Sequence, residues 1–212
     1  ANFRFSGSDM RMEDIVPNSG LVRNTFSLRG NMKMWKKFSV DTKVTYTKEQ
    51  VDNRPYLGFS GANSALPLMQ LPLNIDQNWL NESKVDENGD YLYWHNDSRI
   101  INPYYAMYNM KNESDKNRVM GYLSLTYDFN DWLNLRVKGG GDTYSYKYYN
   151  YAPYSTPLQE SGEMSEINSR TTETNAEFLL TATKEFGNFD GSISLGGNSR
   201  HYDVSTVTTN GR

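Results

Sequence analysis

The 212 residues predict an all-β chain, a section of an antiparallel transmembrane β-barrel, and three observations carry that prediction. Apolar and polar residues alternate with period two over long stretches. Tight turns between aromatic residues join those stretches in pairs, and long polar connections separate one pair from the next. Composition agrees: 16 Tyr, 9 Phe, 4 Trp and 16 Gly, with only 37% hydrophobic residues, suit strands and polar loops better than a helical core.

The elements follow in order. Residues 1–9 set Phe3, Phe5 and Gly7 against Arg4 and Ser6, the alternation of a strand. Asp14 to Gly20, with Pro17-Asn18-Ser19-Gly20, reads as a loop. From Arg23 the first hairpin places Phe26, Leu28, Gly30 and Met32 on one face and Thr25, Ser27, Arg29 and Asn31 on the other. It turns at Trp35-Lys36-Lys37. The returning strand opposes Phe38, Val40, Thr42, Val44 and Tyr46 to Ser39, Asp41, Lys43, Thr45 and Thr47. Residues 49–116 hold no sustained period and contain Pro55, Pro67, Pro72 and Pro103. They predict a long loop region, with a turn at Asp86 to Asp90 and a local helix near Tyr104 to Asn109.

A second hairpin spans Arg118 to about Tyr148 and contains TYDFNDWLNLRVKGGG, where Leu123, Leu125, Tyr127 and Phe129 match Leu133, Leu135 and Val137 across the turn. Its period blurs at Gly139-Gly140-Gly141, which predicts a bulge or close contact. After a loop from Asn150 to Ser169, Thr171 to about Val207 forms the third hairpin, turning over Gly187-Asn188 between Phe186 and Phe189. The short turns then lie at one end of the sheet and the long loops at the other.

A transmembrane strand needs about ten residues with alternate side chains in lipid, and aromatic residues collect where hydrocarbon meets headgroup. The polar face then lines a wet interior. Arg29, Asp41, Lys43, Asp128, Arg136, Lys138 and Glu177 fall on that inner face, since in hydrocarbon they would be prohibitively costly. About seven strands is an odd count, which predicts a section of a barrel. The alternative is a soluble β-rich glycan-binding or adhesin module. The two differ in whether Leu28, Val40, Leu125, Leu135, Phe178 and Ile193 touch lipid or an opposite sheet.

Other function classes find little support. A net charge of -3 with no basic stripe argues against nucleic acid, and the absence of cysteine removes thiolate chemistry. His95 and His201 have no zinc-ligand spacing. The pairs Glu163/Glu166 and Asp86/Glu87 sit in polar loops, and the glycine run lacks the Lys-Ser or Lys-Thr of a phosphate loop. The expectation is a chain that is not an enzyme and needs no cofactor.

Three stretches carry a family resemblance: VPNSGLVRNTFSLRGNMKMWKKFSVDTKVTYTKEQVDNRP, INPYYAMYNMKNESDKNRVMGYLSLTYDFNDWLNLRVKGGGD and TETNAEFLLTATKEFGNFDGSISLGGN. In this order they resemble the barrel of SusC/RagA-type TonB-dependent outer-membrane transporters of Bacteroidetes. The most specific part is Asn102-Pro103-Tyr104 leading into Asn117-Arg118-Val119. The resemblance implies a 22-stranded barrel in outer-membrane lipid, filled by an N-terminal plug, energised through TonB and capped by a SusD-like surface lipoprotein. It also implies uptake of oligosaccharides or oligopeptides. The plug and the TonB-binding segment have no counterpart expected in residues 1–212, and residues 49–116 become a long extracellular loop region.

The candidate substrate contacts are Tyr91, Tyr93, Trp94 and His95, beside Asp97 and Arg99. Flat aromatic faces stack on sugar rings, and neighbouring polar groups bind hydroxyls. The competing role is to pin the loop. Tyr104, Tyr105 and Tyr108 are expected to pack at the loop base. Tyr144, Tyr146, Tyr148, Tyr149, Tyr151 and Tyr154 are expected to form an upper aromatic belt and the base of an outer loop.

Overall fold

A computed structural model describes residues 1–97, 100–157, 159–186 and 189–212. Seven strands form one antiparallel sheet in chain order: β1 (Asn2–Glu13), β2 (Gly20–Met34), β3 (Phe38–Asp52), β4 (Lys111–Asn130), β5 (Leu133–Ala152), β6 (Glu163–Phe186) and β7 (Phe189–Gly211). The sheet is open, with β1 and β7 at its edges. Tight connections join β2 to β3 through 35–37 and β4 to β5 through 131–132. The Gly187-Asn188 turn lies outside the described residues. At the opposite end, β1 reaches β2 through 14–19, β3 reaches β4 through 53–110, and β5 reaches β6 through 153–162.

Residues directly opposite in an antiparallel pair share a face, so the register tests the alternation. Met32 pairs with Val40, Val40 with Leu125, Leu125 with Val137, and Val137 with Phe178. A second row runs Met34, Phe38, Tyr127, Leu135, Leu180 and Leu195. One residue along, Asn31, Asp41, Ser124, Lys138, Glu177 and Asn198 form a row on the other face. The apolar face is free of charge over Phe26 to Met34, Phe38 to Tyr46, Val119 to Phe129 and Leu133 to Gly141. Those lengths are the nine to eleven residues that cross hydrocarbon. Lys48 and Lys147 mark where charge returns to this face on β3 and β5. Within the band, the hydroxyl of Thr42 donates to the Tyr122 carbonyl at 2.9 Å, which spares it an unsatisfied group.

Nothing among the described residues packs over this face: Phe5 is 73% exposed, Ile193 77% and Leu195 67%. Among the described residues there is thus no opposite sheet of the kind a sandwich needs. Cross-strand neighbours supply the packing, and several pair an aromatic ring with a glycine. On this face Phe3 opposes Gly30, Gly7 opposes Phe26, and Phe178 opposes Gly197, while on the polar face Tyr122 opposes Gly140. A Cβ on Gly197 would come within 2.7 Å of the Phe178 ring, and one on Gly30 within 3.1 Å of Phe3. The ring occupies the space that the glycine leaves.

Strand ends and one irregularity differ from the sequence expectation. The loop region is 53–110 rather than 49–116, because β3 and β4 continue their pairing through Val51 and Ser114. Likewise β5 runs to Ala152 and β6 starts at Glu163, so the expected Asn150 to Ser169 loop shrinks to 153–162. These extensions lie beyond the apolar band and scatter Val51, Tyr149, Tyr151, Met164 and Ile167 among polar residues on both faces, so hydrophobic period could not reveal them. Pairing is also unbroken through Gly139-Gly140-Gly141; the register shift falls at Asp128/Asn130, beside the turn. The register further separates the tyrosines of β5. Tyr144, Tyr146 and Tyr148 join the polar face, and only Tyr149 and Tyr151 of that strand lie on the outer face, where their rings stack at 6.5 Å.

The chain has no cysteine, so single-cysteine variants can report each face. In the intact protein in bilayers, a fluorophore at Leu125, Val137 or Phe178 will be quenched strongly by brominated lipid, and one at Ser124, Lys138 or Glu177 will not. Equal quenching in the two sets would exclude a lipid-facing sheet.

Candidate functional site

Long connections gather at the loop end and build the one compact core of the molecule among the described residues. Three short helices lie within 53–110: α1 (Ala65–Gln70), α2 (Gln77–Glu82) and α3 (Pro103–Asn109). Tyr91, Ile101, Tyr105, Ala106 and Met110 pack with Ala152 from the end of β5, and Ala62, Val85 and Trp94 close around them. The cluster is tied to the sheet. Arg54 donates to the Ser114 hydroxyl at 3.2 Å, Asn18 donates to the Met107 carbonyl at 3.1 Å, and Tyr56 bonds Asn150.

Asn102 organises this core and is fully buried. As N-cap of α3 its Oδ1 accepts the amides of Tyr104 and Tyr105 at 3.0 and 3.4 Å, while Pro103 fills the first helical position without a wasted donor. Its Nδ2 donates to the Leu80 carbonyl at 2.9 Å, fastening α3 to α2, and its own amide donates to the Tyr91 hydroxyl at 3.0 Å. The expected helix near Tyr104 to Asn109 is therefore α3. Helices α1 and α2 were not foreseen, since six residues each give too little period to read.

The four candidate contact residues separate by environment. Tyr91 is 5% exposed and spent on packing: its ring meets Tyr93 and Tyr105 edge-to-face at 5.2 and 4.8 Å. Burial pushes its hydroxyl above the ordinary tyrosine range. Tyr93 is 59% exposed, and His95 is exposed with its ring 5.5 Å from that of the half-buried Trp94. His95 Nδ1 accepts the Asp97 amide at 2.9 Å, so the neutral ring carries its proton on Nε2. Arg99 lies outside the described residues. Phe59 and Trp79 add exposed aromatic rings on the same loops, which no local motif marks in the sequence, and Tyr108, expected to pack at the loop base, is exposed too because it lies on the face of α3 turned away from the buried Tyr105, Ala106 and Met107. Tyr105 is buried as expected of a packing residue.

The polar face of the sheet is the second feature. Arg23 donates to Glu49 at 2.7 Å, Arg29 makes two 3.2 Å bonds to Asp41, and Arg118 binds Asp142 through both nitrogens. Arg136 lies 3.7 Å from Glu177, and Arg200 donates to Glu173 at 2.7 Å. Lys116 and Lys138 stand over the rings of Tyr144 and Tyr122 at 4.6 and 5.1 Å. Such a surface binds polar or charged occupants, and its paired groups hold one another in place.

No family model and no curated protein sequence matches the chain. Solved structures do. The chain is similar over 100% of its length to the RagAB peptide importer in its closed-closed state, with TM-score 0.64 and 16% identity. With the open-open state of the same importer it shares TM-score 0.65 and 15% identity over 98% of its length. With BauA, the ferric preacinetobactin receptor from Acinetobacter baumannii, it shares TM-score 0.56 and 13% identity over 99%. The chain spans about a quarter of those structures: 24%, 23% and 27% respectively. What the chain shares with them is the fold, an antiparallel sheet along its whole length.

Two expectations test the loop core. Asn102→Ala removes the cap of α3 and orphans the buried Leu80 carbonyl, and will cost the cluster about 2–4 kcal/mol, read as faster proteolysis within 53–110 with the sheet intact. Burial also pushes the Tyr56 and Tyr105 hydroxyls up to about 12 from an ordinary value of about 10. The folded cluster holds those protons longer than the unfolded chain does. Their contribution is therefore complete below about pH 10 and is lost as pH rises through about 12. Ultraviolet tyrosinate titration will show a late phase in that window, reduced by Tyr105→Phe, with protease resistance falling over the same range.

Proposed function

We propose that the chain is a wall section of a SusC/RagA-type, TonB-dependent outer-membrane transporter that imports bulky nutrients, oligopeptides or oligosaccharides, with a SusD-like surface lipoprotein as partner. The observation that carries this reading is the two-faced single-layer sheet: a charge-free apolar band of membrane-crossing height on one side, ion pairs on the other, and a fold shared with receptor barrels along the whole chain. In hydrocarbon each unpaired backbone group costs several kcal/mol, so the band segments of β1 and β7 require further strands beside them. A barrel of 22 strands with a plug supplies that closure and an occupant for the bore.

In this mechanism no residue of the chain performs covalent chemistry. The loop cluster over 53–110 faces outward, the cap and these loops capture cargo, energy delivered through TonB rearranges the plug, and the polar wall conducts. Tyr93, Trp94 and His95 contact cargo, and Tyr91 holds the platform beneath them. An importer of peptides shares the wall fold, which favours oligopeptide among the cargo classes.

Cells carrying the full gene test the contact assignment. Tyr93→Ala and Trp94→Ala will each lower uptake of the native cargo several-fold with no change in surface level, whereas Tyr91→Phe will act through loop stability. Unchanged uptake of every peptide and oligosaccharide offered would remove these residues from the site.

A further inference from the structure

Arg4, Arg29 and Lys43 stand directly opposite one another across three adjacent strands, Arg4 paired with Arg29 and Arg29 with Lys43. Like charges placed directly across a ladder repel. Their outward neighbours on the same strands are Phe3 and Phe5, Leu28 and Gly30, and Thr42 and Val44, so the strip lies level with the apolar band. An ionisable group at that depth needs a partner in the enclosed interior.

Asp41 is the single acid that answers the strip among the described residues, and it is already engaged. Arg29 Nε and Nη2 bind its two oxygens, and the Tyr122 hydroxyl donates to Oδ2 at 3.0 Å. No carboxylate lies within ion-pair distance of Arg4 or Lys43 among the described residues. Elsewhere on the same face the pattern is different: Arg136, Arg118 and Arg200 each have an acid on the neighbouring strand. Lys116 and Lys138 on β4 and β5 have no acid at that distance but stand over tyrosine rings, whereas among the described residues Arg4 and Lys43 have neither kind of partner.

The strip also has the shape of a site. With Ser6, Ser27 and Thr45, one register pair along, the three cations line a depression of about 340 Å³. Ser27 and Thr45 hydroxyls are 3.1 Å apart and can turn toward an occupant. Planar guanidinium forks suit a carboxylate, as Arg29 already shows with Asp41, and the lysine adds a point charge.

We propose that the Arg4–Arg29–Lys43 strip is a carboxylate-binding subsite on the inner wall. It serves either an acidic group of the transported molecule or an acidic side chain of the protein that fills the bore. This inference rests on the transport reading, which alone turns the polar face toward an enclosed space.

The test uses the intact protein in detergent and the double variant Arg4→Gln/Lys43→Gln, with tetraglutamate and tetraglutamine as probes. If cargo supplies the carboxylate, the wild type prefers tetraglutamate, and the double variant loses about tenfold or more of that affinity with tetraglutamine binding unchanged. If the protein supplies it, neither peptide is preferred, but the double variant has a lower Tm, which Arg4→Lys/Lys43→Arg restores. The inference is overturned if tetraglutamate binds both proteins alike and the Tm is unchanged or raised by relief of repulsion, or falls without restoration by the conservative pair. Failure of the transport reading has a separate signature, loss of the brominated-lipid contrast between Leu125 and Ser124.

Discussion

Backbone hydrogen bonding without water is the constraint on which the rest of the structure depends. In hydrocarbon, N–H and C=O groups can be satisfied only by a neighbouring strand, and the six ladders from β1 to β7 provide this through the band with one shift, at Asp128/Asn130 beside a turn. Once pairing is fixed, so are the faces. A slip of one residue between β2 and β3 would turn Asp41 and Lys43 onto the apolar face and Val40 and Val44 onto the polar one. Register is thus enforced by solvent on both sides of a single layer, and no second sheet is needed to specify it.

The same chain obeys the opposite rule at the loop end. Within the band, large apolar side chains point away from protein; above it, they point into a small core of Tyr91, Ile101, Tyr105 and Met110. The change happens along individual strands. β5 exposes Leu133, Leu135 and Val137 outward and ends with Ala152 buried under α3. At roughly 3.4 Å per residue, strands of 20 to 24 residues are about twice as long as hydrocarbon requires. The surplus is what carries the loop cluster beyond the apolar band and anchors it.

The sequence showed most of the wall and little of what stands on it. Strands Phe38 to Tyr46 and Leu123 to Phe129 are readable because an apolar face backed by a polar one imposes a strict period of two. That signal vanishes where both faces are wet, so Glu49 to Asp52 and Lys111 to Lys116 looked like loop although they pair residue for residue. The glycine run is a different case: Gly139 and Gly141 interrupt the hydrophobic pattern without breaking the pairing, and at Gly140, on the polar face, a Cβ would come within 3.2 Å of the Gly121 carbonyl oxygen, the close contact expected there. In the loop region the sequence marks a helix near Tyr104 to Asn109, whereas the partners that make Asn102 a hub, Leu80 and Tyr91, are 22 and 11 residues distant.

That hub bears on how the aromatic segment 91–95 works. Tyr91 is held from both sides, by its edge-to-face contact with Tyr105 and by the Asn102 amide, so its ring is a fixed support rather than a free surface. Tyr93 leans on that support edge-to-face, and Trp94 closes the same core from the side. An exposed ring positioned in this way loses little freedom when a ligand arrives, which strengthens a contact without adding area. The core is in turn continuous with the wall through Ala152 and is tied to the first loop through Asn18. Buried and exposed rings in this segment are therefore successive layers of one structure, with the buried tyrosine setting the geometry that the exposed one presents.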